Sequence, residues 1–320
     1  MRRRRRSSTW CCPPRARRCS PTRGSTRPER VQAGRRRRPG TAGERGPVVG
    51  RVRPRRRSRP PVLLLALAAV AVLFLVGPFV ALLVTAPWSR LGGLIASGPV
   101  LQALWLSLRT ATAATVLCLL LGVPLARVLA RTALPGRGLL RAVTTMPLVL
   151  PPVVGGVALL TLLGRRGLLG RHLDTWFGVT VPFTSTAVVI AEAFVALPFL
   201  VLAVDGALRS ADEQYEQAAA TLGATRWYTF RRITLPLVAP GVLAGAVLCF
   251  ARALGEFGAT ITFAGNYPGT TRTMPLAIYL AMEQDPAQAV ALSLVLIGVS
   301  LAVLIGLRTR WLSALTGGPS

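Results

Sequence analysis

Long apolar runs alternate along the chain with shorter segments in which arginine, acidic residues, glycine and proline collect. A helix needs about 20 apolar residues to cross ~30 Å of hydrocarbon. Six runs reach that length: Val62–Val84, Leu101–Ala130, Leu139–Leu163, Thr184–Leu208, Leu237–Phe263 and Ala287–Leu307. They predict an all-α integral membrane protein with six transmembrane helices. The arginines orient it, because cytoplasmic loops carry the excess of positive charge. Arg127, Arg131, Arg137 and Arg141 lie around the junction of the second and third runs, Arg209, Arg226, Arg231 and Arg232 follow the fourth, and Arg308 and Arg310 the sixth. Together with the basic N-terminus they predict that both termini are cytoplasmic. Arg165, Arg166 and Arg171 fall on the outer side of this count, and "GRRGLLGRHLDTWFG" reads there as a short interfacial helix.

Composition agrees with the pattern: 52% of residues are hydrophobic and 16% charged, with mean hydropathy +0.50. That profile excludes an ordinary soluble core. The net charge of +28 is misleading as a global figure, since 22 of the 39 basic residues are arginines in 1–60, opposed there only by Glu29 and Glu44. A block of like charges with proline and glycine is expected to stay disordered. It reads as a binder of anionic lipid headgroups, as a nucleic-acid-binding tail, or as a charged extension that keeps the N-terminus inside, with a true start downstream as one origin. The last is the preferred reading, because Trp10 is the only aromatic among the arginines and no nucleic-acid-binding fold follows. A cleavable signal is not expected, since the apolar run is too long and no A-x-A site follows it. The five cysteines (Cys11, Cys12, Cys19, Cys118 and Cys249) and the single histidine, His172, lack metal-ligand spacing, so no metal site is expected.

Between the fourth and fifth runs lies a polar segment, "EQAAATLGATRWYTFRRITLP", Glu216–Pro236. Ser210 with Glu213 has the spacing of a capping box, so a helix is expected to start near Ala211. Gly223 can adopt the positive φ that ends a helix. A second short helix, "ATRWYTFRR", is then expected to lead to Leu235-Pro236, where the fifth span begins. The segment reads either as a solvated linker or as a docking element for a partner that supplies energy.

Glu216, Ala218, Ala219, then Leu222-Gly223, then nine residues, then Ile233, Leu235 and Pro236 resemble the EAA motif of ABC-importer permeases. Longer blocks continue the likeness. "SLRTATAATVLCLLLGVPLARVLAR", "MPLVLPPVVGGVALLTLLGRRGLLG" and "FARALGEFGATITFAGNYPGTTRTMPLAIY" are similar to permease subunits of molybdate importers, from roughly Ser107 to Leu307. The G-E-F-G-A stretch is shared with sulfate permeases. The arginine tail departs from the short N-terminus of typical members.

The resemblance implies a type I ABC-importer permease fold. Its core would be residues 99–310, with the coupling helix at 211–234, preceded by the tail (1–60) and a first span with its outer loop (61–98), and followed by a short cytoplasmic tail (311–320). It implies a homodimer in the cell membrane, two copies of an ATPase that bind ATP and Mg, and an extracytoplasmic molybdate-binding protein. No cofactor is expected in this chain and no nucleic acid as partner; membrane lipid surrounds it. Gly223 would make the turn, Glu216 and the alanines would shape the ATPase contact, and the cargo would be molybdate, with tungstate and sulfate as alternatives.

Polar groups and helix breaks inside a span are tolerated only where buried or facing water. Pro147, Pro151 and Pro152, followed by Gly155-Gly156, predict a kinked or locally open third span, as a hinge or as a passive bend. Arg252 and Glu256, four apart, share one helix face and read as a gate or as a structural ion pair, with Thr260 one turn further on. Ser107, Thr110, Thr112 and Thr115 with Arg109 form a small polar face on the second span, for oxyanion passage or for helix packing. Glu192 is an intramembrane acid without an evident partner.

Enzyme classes find no support. There is no histidine in a span, no G-x-S-x-G and no H-E-x-x-H, and a chain without lysine cannot carry a G-x-x-x-x-G-K-[ST] phosphate loop. Any ATP hydrolysis must come from a partner. A secondary anion transporter is the other class, but the two repeated halves common there are not visible.

Overall fold

The computed structural model describes residues 62–132 and 134–316; the expectations for the arginine-rich tail lie outside them. Thirteen helices follow in order: α1 (Val62–Thr85), α2 (Trp88–Ile95), α3 (Gly98–Arg131), α4 (Arg137–Val149), α5 (Pro152–Leu163), α6 (Gly170–Phe177), α7 (Ser185–Ser210), α8 (Gln214–Thr221), α9 (Arg226–Thr229), α10 (Leu235–Leu254), α11 (Gly258–Phe263), α12 (Met274–Gln284) and α13 (Pro286–Thr316). No strand occurs among the described residues. Five helical stretches are long and apolar enough to cross a membrane, and α4 with α5 makes a sixth if counted as one broken span.

The centre of the bundle is α7, held between α3 and α10. Small residues set the spacing. A Cβ on Gly122 of α3 would lie 3.0 Å from Leu200 Cδ2, one on Gly245 of α10 3.0 Å from Ala203 Cβ, and one on Gly241 would overlap Ala207. In lipid there is little hydrophobic drive between helices, so close van der Waals packing through such positions holds them together. By contrast α1 buries none of its residues. Its leucines and valines need lipid around them, and it packs along α13 at one edge.

Two local expectations are corrected and a third is sharpened. The third span, expected to be kinked or locally open, is broken outright: α4 and α5 meet at 117°. Leu150 precedes Pro151 and is extended (φ −68°, ψ 133°), as a residue before proline prefers, and neither Pro151 nor Pro152 can donate to the preceding turn. Nor does Gly155-Gly156 open the helix. Gly156 brings α5 against α11, where an added Cβ would overlap Thr262 Oγ1 and come within 2.8 Å of the Ala259 carbonyl oxygen.

The fifth span begins earlier than Leu237 and ends before Phe263. Helix runs continuously from Arg226 to Leu254, widened into one π-turn over Phe230–Thr234. Pro236 has no N–H for the Arg232 carbonyl, which accounts for the slip in register just ahead of it. The helix then stops at Gly255, and α11 starts anew after Phe257.

The Ser210–Glu213 capping box is not formed. The Ser210 hydroxyl donates to the Ala207 carbonyl at 2.9 Å, α7 continues to Ser210, and α8 is capped by Asp212, whose Oδ1 accepts the Gln214 N–H at 2.9 Å. The 164–178 segment expected to be a short interfacial helix contains α6.

Gly156 supplies the first testable consequence. Gly156→Ala should overpack the α5–α11 contact by about 1–3 kcal/mol and lower the thermal midpoint of the purified protein in detergent by several degrees. Gly155→Ala meets only the Phe194 ring, at 3.1 Å, and should move it less. Equal midpoints for the two variants would refute the close approach.

Candidate functional site

The segment from Asp212 to Thr234 folds as a compact elbow at one end of the bundle. Gly223 has φ +79°. Its N–H donates to the Ala220 carbonyl, and the Ala224 N–H reaches back to the Ala219 carbonyl, both at 3.0 Å, so α8 ends in a Schellman motif that only an αL residue completes without strain. Thr225 caps the next turn, accepting the Tyr228 N–H at 3.3 Å.

Glu216 closes the elbow. Its Oε1 accepts the Thr234 hydroxyl at 2.9 Å and lies 3.7 Å from Arg131 Nε. Arg131, the last residue of α3, also pairs with Glu213 and donates to the Ala211 carbonyl at 3.1 Å. One arginine thus joins α3 to Glu213 and Glu216, and through Glu216 to the entry of α10. Beside it, Asp205 of α7 holds Arg141 of α4 at 2.5 Å and Arg209 at 3.0 Å, while Arg209 also donates to the Leu129 carbonyl at 3.3 Å. Arg127 lies over the Phe230 ring, 4.5 Å from its centroid, a cation–π contact between α3 and the π-turn.

The outward side of the elbow is a groove of about 690 Å³ lined by Tyr215, Ala218, Ala219, Leu222, Gly223 and Ile233, among others. Leu222 is 87% exposed, and Tyr215 and Tyr228 stand out beside it. Sequence reasoning did not single out these tyrosines or Asp205, and used Arg131 only to orient the spans. The i,i+4 spacing of Asp205 and Arg209 was a visible signal; the 64 and 82 residues separating Arg141 and Arg131 from their partners hid the rest. Leu235 and Pro236 do not line the groove; they open α10.

The intramembrane candidates gather at the two helix breaks. A Cβ on Gly258 would lie 3.0 Å from Pro152 Cβ, so the Pro151-Pro152 break abuts the Gly255–Phe257 break. Pro147 stays within α4, one turn before it. Arg252 and Glu256 do pair, at 2.6 Å, but across the end of α10 instead of along one helix face. Glu256 is 1% exposed, and its Oε1 accepts the Ala259 N–H at 2.8 Å, capping α11. Thr260 is fully buried and its hydroxyl has no partner among the described residues. Glu192 finds its partner in Thr110, whose hydroxyl donates to Oε1 at 2.9 Å. Ser107 Oγ accepts the Met274 N–H at 2.7 Å. Thr112 bonds back to its own helix, whereas Thr115 does so and also meets the Cys249 side chain of α10, so the expected polar face divides: Ser107, Thr110 and Thr115 engage neighbours, Thr112 and Arg109 do not. Among the described residues no three His, Cys, Asp or Glu side chains converge as a metal-binding group.

Residues 122–315 match the family model of the binding-protein-dependent transport system inner membrane component. The chain belongs to that family. It is 51% identical over 245 residues to the molybdenum transport system permease protein ModB of Mycobacterium tuberculosis, covering 76% of this chain and 92% of that one. Identity to ModB of Escherichia coli K12 is 45%, over 70% of this chain and 97% of that one. The sulfate transport system permease protein CysT of the same strain is 35% identical, over 69% and 80%. The fold matches a bacterial ABC transporter involved in alginate import, with TM-score 0.59 at 18% identity over 80% of this chain and 96% of that one. A bacterial alginate ABC transporter in complex with an alginate pentasaccharide-bound periplasmic protein matches with TM-score 0.58 at 20% identity, over 77% of this chain and 91% of that one. The all-helical fold is therefore that of ABC-importer permeases, and the chain is an inner-membrane component of a transport system.

Arg131 is the residue on which the elbow's attachment rests. Two partly exposed ion pairs and one hydrogen bond to a carbonyl are together worth about 1–2 kcal/mol. Arg131→Ala should therefore speed amide exchange across Gln214–Thr221 by roughly 5- to 30-fold, leaving α7 protected. Unchanged exchange in α8 would mean that the ion pairs do not hold it.

Proposed function

We propose that this chain is the permease subunit of an ATP-driven molybdate importer, and that Glu216–Pro236 is its coupling helix. The observation that carries the reading is the elbow. It displays an apolar groove on one side and is bolted on the other to α3 and α10, so that a push on α8 reaches spanning helices. The 51% identity to a molybdenum permease, against 35% to a sulfate permease, favours molybdate among the tetrahedral dianions.

In this reading the elbow faces the cytoplasm, with both termini on that side, and two copies of the chain meet two ATPase subunits. Tyr215, Leu222 and Tyr228 would be covered by the ATPase, and Ala218, Ala219 and Gly223 admit its close approach. An extracytoplasmic binding protein would deliver molybdate at the opposite end. ATP and Mg belong to the ATPase. The breaks at Pro151-Pro152 and Gly255–Phe257, with Pro147, Arg252, Glu256 and Thr260, would form the gate: the two short helices α5 and α11 can shift as a pair because each is already disconnected from the longer helix before it.

Uptake of labelled molybdate in cells lacking this gene tests the reading, with wild type or Gly223→Asp restored. No atom lies within 4 Å of a Cβ at Gly223, so the substitution strains only the turn, by about 1–2 kcal/mol, and the protein should still reach the membrane. Wild type should restore uptake, tungstate should compete better than sulfate, and the variant should fall at least tenfold. Equal rescue by the variant would sink the coupling role, and uptake blocked mainly by sulfate would move the cargo to sulfate.

A further inference from the structure

A polar cavity of about 290 Å³, separate from the elbow groove, is lined by Gln102, Trp105, Leu106 and Arg109 of α3, Ser185 at the start of α7, and Gly269 in the loop before α12. Along α3, Arg109 stands 22 residues from Arg131, which is about 33 Å at 1.5 Å per residue, or one hydrocarbon thickness. The cavity is therefore at the end of the bundle opposite the elbow.

Its chemistry is one-sided. Gln102, Trp105 and Arg109 are spaced i, i+3, i+7 and line the cavity from one face of α3. They offer a carboxamide, an indole N–H and a guanidinium. None of the three has a hydrogen-bond or ion-pair partner among the described residues, and no acidic side chain lines the cavity. On the same helix Arg127 and Arg131 are engaged, by Phe230 and by Glu213. Ser185 is held by its bond to the Thr270 carbonyl at 2.8 Å, which fixes the loop wall, and Gly269 at φ +73° turns that wall without a side chain. All three residues are exposed, so the guanidinium and the two N–H donors beside it face an ion arriving from outside the bundle. The volume is at the lower limit of small-molecule pockets, about 300–1,000 Å³, which suits a small ion.

We propose that Arg109, Gln102 and Trp105 form a binding site for a tetrahedral oxyanion, through charge-assisted hydrogen bonds from the guanidinium fork. The site rests on the importer reading for its role: it would receive the dianion at the entry mouth. A single cation holds such an ion loosely, as onward passage requires. A phospholipid phosphate has the same tetrahedral chemistry and is the other source.

Trp105 makes the site observable. The full chain, purified in a phosphate-free non-ionic detergent, is titrated at constant ionic strength with sodium molybdate, and separately with dihexanoylphosphatidylglycerol below its micellar concentration, following tryptophan fluorescence. A saturable change with molybdate is expected. Trp105→Phe should abolish it, and Arg109→Gln should shift its midpoint at least tenfold, with Arg109→Lys in between. An Arg109-dependent response to the lipid alone would assign the same site to a headgroup. No Arg109-dependent response to either ligand, in variants whose thermal midpoints match wild type, would overturn the proposal. The assay involves no ATPase, so it can fail while the Gly223 uptake test succeeds, and the reverse.

Discussion

In hydrocarbon a backbone N–H or C=O that leaves its helix finds no water, and each such group costs several kcal/mol if left alone. This chain interrupts two spans inside the bundle and places the interruptions against each other. Pro151 and Pro152 have no N–H to orphan, and the Glu256 carboxylate takes the Ala259 N–H that the restart of α11 exposes. Arg252 then balances the charge of Glu256, and the bare backbone of Gly156 and Gly258 lets the two breaks close on one another. The rest of the bundle forms around that junction. α7 stays unbroken between α3 and α10, and its alanines and the facing glycines keep the three helices in contact.

Charge is distributed by the same logic. Four ion pairs cluster at the elbow end of the bundle, Arg131 with Glu213 and Glu216, Asp205 with Arg141 and Arg209. All but Asp205–Arg209, one turn apart on α7, join elements far apart in the chain. Exposed pairs of this kind contribute little singly. Their value here is geometric, since Arg131 and Glu216 make the elbow continuous with α3 and α10. Displacement of α8 would then be transmitted through packed, bonded contacts. The exposed aromatic residues on the groove side would be costly in water without a partner to cover them.

What the sequence determined by itself was everything that depends on local periodicity and residue chemistry: six apolar runs, the glycine turn at Gly223, the incompatibility of Pro151-Pro152 with an unbroken helix, and the absence of an ATP-binding loop. Glu216, Ala218, Ala219 and Gly223 were legible because their spacing is carried on one short segment. The tertiary structure decided the rest. Whether a proline pair kinks a helix or turns it by 117° depends on what packs into the bend. Where the fifth span stops depends on whether Glu256 points along its helix or caps the next one. Thr110 and Glu192 are 82 residues apart, as are Arg131 and Glu213, and no periodicity within a helix reports such pairs. Local pattern fixes which segments cross the bilayer, because the cost of transferring each residue is local. Which polar side chains answer one another is a property of helix packing, and only the assembled bundle settles it.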